Sequence, residues 1–170
     1  MSHTPSTPLP SLAFPRGAGA ILPAPACRGL SPDERFVVGA IRHVVIGGVD
    51  APEVEQAFLA RCGKAGGPSV ALLRNWLQTL AENARRQIAV GHRSRCCPSP
   101  DEIMMLAIIE CSRRGDFTSA HALLAQLAHT KAIDRLAHGA EKLGEALLTA
   151  GICLRPVRFA GPANAHDPRR

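Results

Sequence analysis

Aromatic residues are scarce in this chain: 4% of it, with one Trp and no Tyr. Sheets are built largely on β-branched and aromatic side chains. The shortage therefore argues for packed helices filled by Leu, Ile, Val and Ala. No stretch approaches the ~20 apolar residues of a membrane span. The first 15 residues carry no Lys or Arg, and prolines interrupt every apolar stretch before Cys27. That pattern does not fit an export signal. Ala24-Pro25-Ala26-Cys27 likewise lacks the hydrophobic run of a lipoprotein cleavage site. Glycine-rich phosphate loops, nucleophile elbows and paired His–Glu metalloprotease motifs are all missing. The chain is accordingly expected not to be an enzyme.

What is present points to one helical domain. The 170 residues are 46% hydrophobic, enough to build a core without staples. Six prolines and no acidic residue fall in residues 1–30, which read as a flexible N-terminal tail. Residues 152–170 hold three more prolines and end in Arg169-Arg170, a second flexible, basic tail. The domain spans 31–151. Its first helix opens at Ser31-Pro32-Asp33-Glu34, a capping box with Pro at the first helical position. A second helix is expected from Asp50 to about Gly63, and a third from about Ser69 to Gln87. A loop of about a dozen residues follows, from Ile88 to Pro98.

The fourth helix opens at Ser99-Pro100-Asp101-Glu102, the same box again. It runs through an all-round apolar stretch, Ile103 to Ile109, that suits a central position. Gly115 ends it and Asp116 caps a fifth. The sixth covers about 132–150, with Ile133, Leu136, Ala140, Leu143 and Leu147 on one stripe. The fold expected is all-α, a compact bundle of about six helices. Its core is read as Ile41, Val44, Leu73, Trp76, Leu77, Met104, Leu106, Ile108, Leu124 and Leu127. The two boxes lie 68 positions apart. At that offset Gly47 matches Gly115, Ala57 matches Ala125, Leu59 matches Leu127 and Ala60 matches Ala128. Two related helical hairpins are one reading of that pattern.

Charge and cysteine single out one segment. The chain carries a formal +6, which suits an acidic partner or simple solubility. Residues 85–97 hold Arg85, Arg86, Arg93, Arg95, His92, Cys96 and Cys97 and no acid, and they lead straight into a helix N-terminus. As an anion-binding surface, the four arginines would contact a partner's phosphates or carboxylates. As a metal site, His92, Cys96 and Cys97 supply ligands that zinc takes. As a redox site, nearby arginines and the helix dipole favour a reactive thiolate. The plain alternative is a solvated basic loop over packed cysteines. His121, His129 and His138 read as exposed or half-buried helix residues. The irregular spacing of the six cysteines argues against a disulfide framework. A reducing cytoplasm is the expected compartment.

From Glu34 to about Arg114 the chain resembles an uncharacterised family of short bacterial helical proteins. The resemblance rests on Ala40-Ile41-Arg42, on Val70 to Arg74, and on Cys96-Cys97-Pro98 leading into Asp101-Glu102. It covers about half the chain. Members of the family carry a further cysteine where this sequence has Arg95. The resemblance implies a small helical domain with the cysteine loop as a family feature, and it carries over no functional assignment. The function expected is a non-catalytic regulatory or adaptor role, binding another macromolecule, a protein before a nucleic acid, through helix faces and the basic loop, with no cofactor. The alternatives are a metal- or redox-responsive regulator and a nucleic-acid-binding protein. Oligomeric state is left open.

Overall fold

A computed structural model describes residues 29–156 and the short strand Leu12–Ala13; most of both expected tails lies outside the described residues. The described part is all-α. Its helices are α1 (Pro32–Gly47), α2 (Pro52–Cys62), α3 (Gly66–Glu82), α4 (Pro100–Arg113), α5 (Phe117–Leu127) and α6 (Ile133–Thr149). A single 3-10 turn, Gly63–Ala65, links α2 to α3, so these helices form five uninterrupted helical runs along the chain. Strand β1 (Leu12–Ala13) pairs in parallel with β2 (Ile88–Ala89), with Leu12 opposite Ile88.

Both capping boxes form. Ser31 accepts the Glu34 N–H and Ser99 accepts the Glu102 N–H, each at 3.1 Å. Each glutamate reaches back to its serine's own N–H at 2.6 Å. The α4 run from Met105 to Ser112 is buried without interruption, and α4 packs against α1, α5 and α6. Nine of the ten expected core residues are buried. The exception is Met104, which is half-buried, while its neighbour Met105 takes the core position. The α6 stripe is buried throughout. Trp76 sits in the core with its indole N–H donating to the Leu136 carbonyl at 3.0 Å, the partner a buried tryptophan needs.

The third helix differs from expectation at both ends. It starts three residues early, because Pro68 in a first turn removes no helical hydrogen bond. It ends at Glu82 rather than near Gln87. The Arg85 N–H donates to the Leu127 carbonyl and the His129 N–H to the Asn83 carbonyl, closing an antiparallel bridge between Ala84 and Ala128. Helix-favouring residues at 84–87 are thus overridden by contact with the end of α5.

The two capping boxes open two equivalent units, larger than the expected hairpins. In the first unit α1 has 16 residues, α2 has 11, a 3-10 turn has 3 and α3 has 17. In the second, α4 has 14, α5 has 11, a 3-10 turn has 3 and α6 has 17. Each unit ends in an extended segment, residues 88–91 and 152–155. These segments are exchanged. The Ala89 and Gly91 N–H groups donate to Asp101 and Glu102, at the head of the second unit. The Cys153 and Arg155 N–H groups donate to Asp33 and Glu34, at the head of the first. In both cases alternate amides of a strand-like segment meet two consecutive carboxylates in the first turn of a helix. That is where the helix dipole favours negative charge. The boundary expected at 151 falls beside Ile152, which is buried in the core.

Candidate functional site

The basic cysteine loop is built outward from one buried ion pair. Arg42 on α1 is 5% exposed and Glu102 on α4 is fully buried. Two guanidinium nitrogens face the two carboxylate oxygens, Nε to Oε1 at 2.7 Å and Nη2 to Oε2 at 2.9 Å. Glu102 also accepts the Gly91 N–H at 3.0 Å and the Ser99 N–H. Arg42 donates onward to the Cys97 carbonyl at 3.0 Å and to the Arg95 carbonyl. A buried charge pair is tolerated when its remaining hydrogen-bonding capacity is filled in this way. The loop backbone is thereby fastened at Gly91, Arg95, Cys97 and Ser99. Gly91 is required: a Cβ there would lie 2.8 Å from Arg42 Nη2.

Asp101 holds the other side. It takes a bidentate contact from Arg86 at 2.7 and 2.8 Å and the Ala89 N–H at 2.7 Å. Burial pushes its pKa up, but the Arg86 and Ala89 hydrogen bonds and the Arg86 charge outweigh that, so it titrates below the usual carboxylate range. The bond to Asp101 in turn raises the Arg86 pKa. Arg86 also donates to the Gln126 carbonyl, and Arg85 to the Ala125 carbonyl at 2.8 Å. Both carbonyls lie in the last turn of α5, where cations satisfy orphan acceptors.

The four arginines read together in the sequence are therefore split. Arg85 and Arg86 fasten the start of the segment to α5 and α4. Arg93 and Arg95 are both exposed, but the Arg93 guanidinium lies back against Gly47 at the end of α1, close enough to His43 for its charge to be felt there. His92 and Ser94 pair locally, with Nδ1 to Oγ at 2.9 Å. Cys96 is an exposed free thiol with its Sγ 3.6 Å from Cys97 Sγ. Cys97 itself is disulfide-bonded. That differs from the reading of the cysteines as unpaired. Among the described residues no cluster of three or more His, Cys, Asp or Glu side chains could hold a metal ion. Cys111 is buried, and burial pushes its thiol pKa up.

Sequence reasoning missed Arg42 and His43. A single arginine among Ala40, Ile41, Val44 and Val45 was the available signal for the first. His43 is half-buried beside a groove of about 290 Å³ between α1 and α2, lined in part by Phe36, Glu53 and Ala57. Its Nδ1 is buried without a hydrogen-bond partner among the described residues. Burial lowers its pKa, the charge on Arg93 lowers it further, and Glu53 partly opposes both. The unfolded value lies near 6.5, so below that pH the unfolded chain binds more protons than the folded one. Stability is then unaffected by His43 at higher pH and falls as the pH drops through about 6.5 toward the folded value. Denaturant titrations at pH 7.5 and 5.5 should show this decline, and His43→Gln should reduce it. An equal decline in the variant would place its origin elsewhere.

Comparison of the chain with family models, curated proteins and solved structures gives no match. Among the described residues no helix is long and apolar enough to cross a membrane.

Proposed function

We propose that the protein is a non-catalytic regulatory or adaptor module that binds another protein through the tip of the basic loop, with Arg93 and Arg95 as the charged contacts. The observation that carries this reading is the division of labour around residues 85–102. The acidic groups Asp101 and Glu102 are consumed in holding the loop, while Arg93 and Arg95 stay exposed with no carboxylate paired to them among the described residues. A cationic tip on a fastened backbone loses little entropy on meeting an acidic surface, which favours affinity. Arg85 and Arg86 support the tip in this reading and do not contact the partner.

A second reading is favoured by the state of Cys97. A disulfide in a cytoplasmic protein is as a rule transient, catalytic or redox-sensing. In that compartment the Cys96 thiolate would attack Cys97 Sγ. The Cys96–Cys97 bond would form as the present Cys97 bond breaks, and the displaced sulfur would leave as a thiolate.

One experiment separates the readings. The tagged full-length chain is used to capture proteins from its native cell under reducing and non-reducing conditions. Charge reversal by Arg93→Glu and Arg95→Glu should abolish recovery of a near-stoichiometric partner without lowering the midpoint of thermal unfolding. Cys96→Ser should leave recovery intact. Loss with Cys96→Ser but not with charge reversal would favour the redox reading. Recovery of nucleic acid that weakens steeply with salt would favour a nucleic-acid partner.

A further inference from the structure

The two units are equivalent in their helices, their capping boxes and the carboxylates that grip their extended segments, but differ at one edge. In the segment 88–91, Ala89 and Gly91 point their amides at Asp101 and Glu102. Strand amides alternate in direction. The opposite edge, at Ile88 and its neighbours, carries β1 in parallel. In the segment 152–155, Cys153 and Arg155 point their amides at Asp33 and Glu34. Ile152 spends its amide on the Leu147 carbonyl. Leu154 corresponds to Val90, and its N–H has no hydrogen-bond partner among the described residues. Among the described residues no strand lies alongside it.

Two grooves border this edge. One of about 120 Å³ runs by Ile152, Cys153 and Leu154, and is walled by Leu148 and the Glu110–Arg113 pair. The other, of about 330 Å³, continues past Arg155 and Pro156, against Leu30, Ile103 and Leu106. Its charged groups, Glu34 and Arg155, are bonded to each other. The larger groove is therefore mainly apolar and the smaller one mixed, with the Glu110–Arg113 and Glu34–Arg155 charges already paired.

We propose that the Leu154 edge is a second strand-acceptor site, which takes a short, uncharged, apolar extended segment of a partner protein running parallel to residues 152–156. An open edge with an unpaired amide is a template for strand addition, in which main-chain bonds give affinity and flanking grooves select side chains. The occupant's chemistry is read from the equivalent edge, where the segment that docks is Leu-Ala flanked by Ser and Phe. The site lies apart from the basic loop tip and does not depend on that loop's role.

The test uses the full-length chain labelled with nitrogen-15 and the peptide Pro-Ser-Leu-Ala-Phe-Pro as probe. In the free protein the Leu154 amide should exchange quickly. Peptide should shift Leu154 and its neighbours saturably and slow the Leu154 exchange at least ~tenfold, leaving Ile88 and Val90 unchanged. Two analogues then report the alternation of a strand. One is N-methylated at Leu and Phe, the other at Ala. One should lose at least ~tenfold in affinity and the other retain it. The proposal is overturned if both analogues bind alike, or if Leu154 does not respond at millimolar peptide. It is equally overturned if the Leu154 amide is already protected in the free chain, because the edge is then covered by the protein itself or by a second copy.

Discussion

Glu102→Ala should destabilise the fold by about 3–5 kcal/mol, the cost of leaving a buried cation without its partner. Arg42 is 5% exposed, so its charge would have no path to water. Two further bonds go with the carboxylate, from the N–H groups of Ser99 and Gly91, and with them the orientation of Arg42 toward the Cys97 carbonyl. The equivalent change in the first unit, Glu34→Ala, should cost only about 1–2 kcal/mol. Its partner Arg155 has a side chain 56% exposed and would rehydrate. Replacing the pair together, with Arg42→Met and Glu102→Met, should recover much of the loss, because an apolar pair of similar volume leaves no stranded charge. Urea denaturation of the four proteins measures this. Equal losses for Glu102→Ala and Glu34→Ala would show that burial does not set the difference.

Two neighbouring glycines at the start of α3 should respond in opposite directions. A Cβ on Gly66 would lie 2.8 Å from the Phe58 carbonyl oxygen, a backbone atom that cannot swing aside. Gly66→Ala should therefore push α2 and α3 apart, at about 1–3 kcal/mol for an overpacked contact. Gly67 has nothing within 4 Å of the same position. Gly67→Ala should instead stabilise by a few tenths to about 1 kcal/mol, through the smaller entropy of the unfolded chain. Thermal unfolding of the two variants gives the signs. A loss in Gly67→Ala as large as that in Gly66→Ala would mean that the α2–α3 approach is not what requires glycine.

The helices were legible because their signals are local. Ser31-Pro32-Asp33-Glu34 and Ser99-Pro100-Asp101-Glu102 each announce a helix start, and Gly115, at φ +75°, marks a turn that a side chain would strain. The α6 stripe followed from its spacing alone. Contacts across the chain were not legible. The end of α3 is set by Leu127 and His129, more than forty positions away, so residues 84–87 read as helix on propensity alone. The repeat was visible as matched boxes, but its extent was hidden: Leu59 is exposed while its counterpart Leu127 is buried.

The candidate loop was found by composition, and its internal order was not. Arg85, Arg86, Arg93 and Arg95 look alike in the sequence. Only the fold shows that the first two are spent on α5 carbonyls and Asp101. Asp33, Glu34, Asp101 and Glu102 were fully accounted for as caps. Their second task, gripping alternate amides of the other unit's extended segment, depends on tertiary geometry that no local pattern encodes.

Two three-helix units, packed through α3 and α6, are tied to each other by these exchanged segments, and one of the grips fastens the basic loop. Amide hydrogen exchange of the full-length chain tests this arrangement most directly. The amides of Ala89, Gly91, Cys153 and Arg155 should exchange slowly as a set, although Cys153 and Arg155 have exposed side chains and lie outside any helix. If Cys153 and Arg155 exchange at the rate of an unstructured peptide while the helices stay protected, the segments are not exchanged and the account fails.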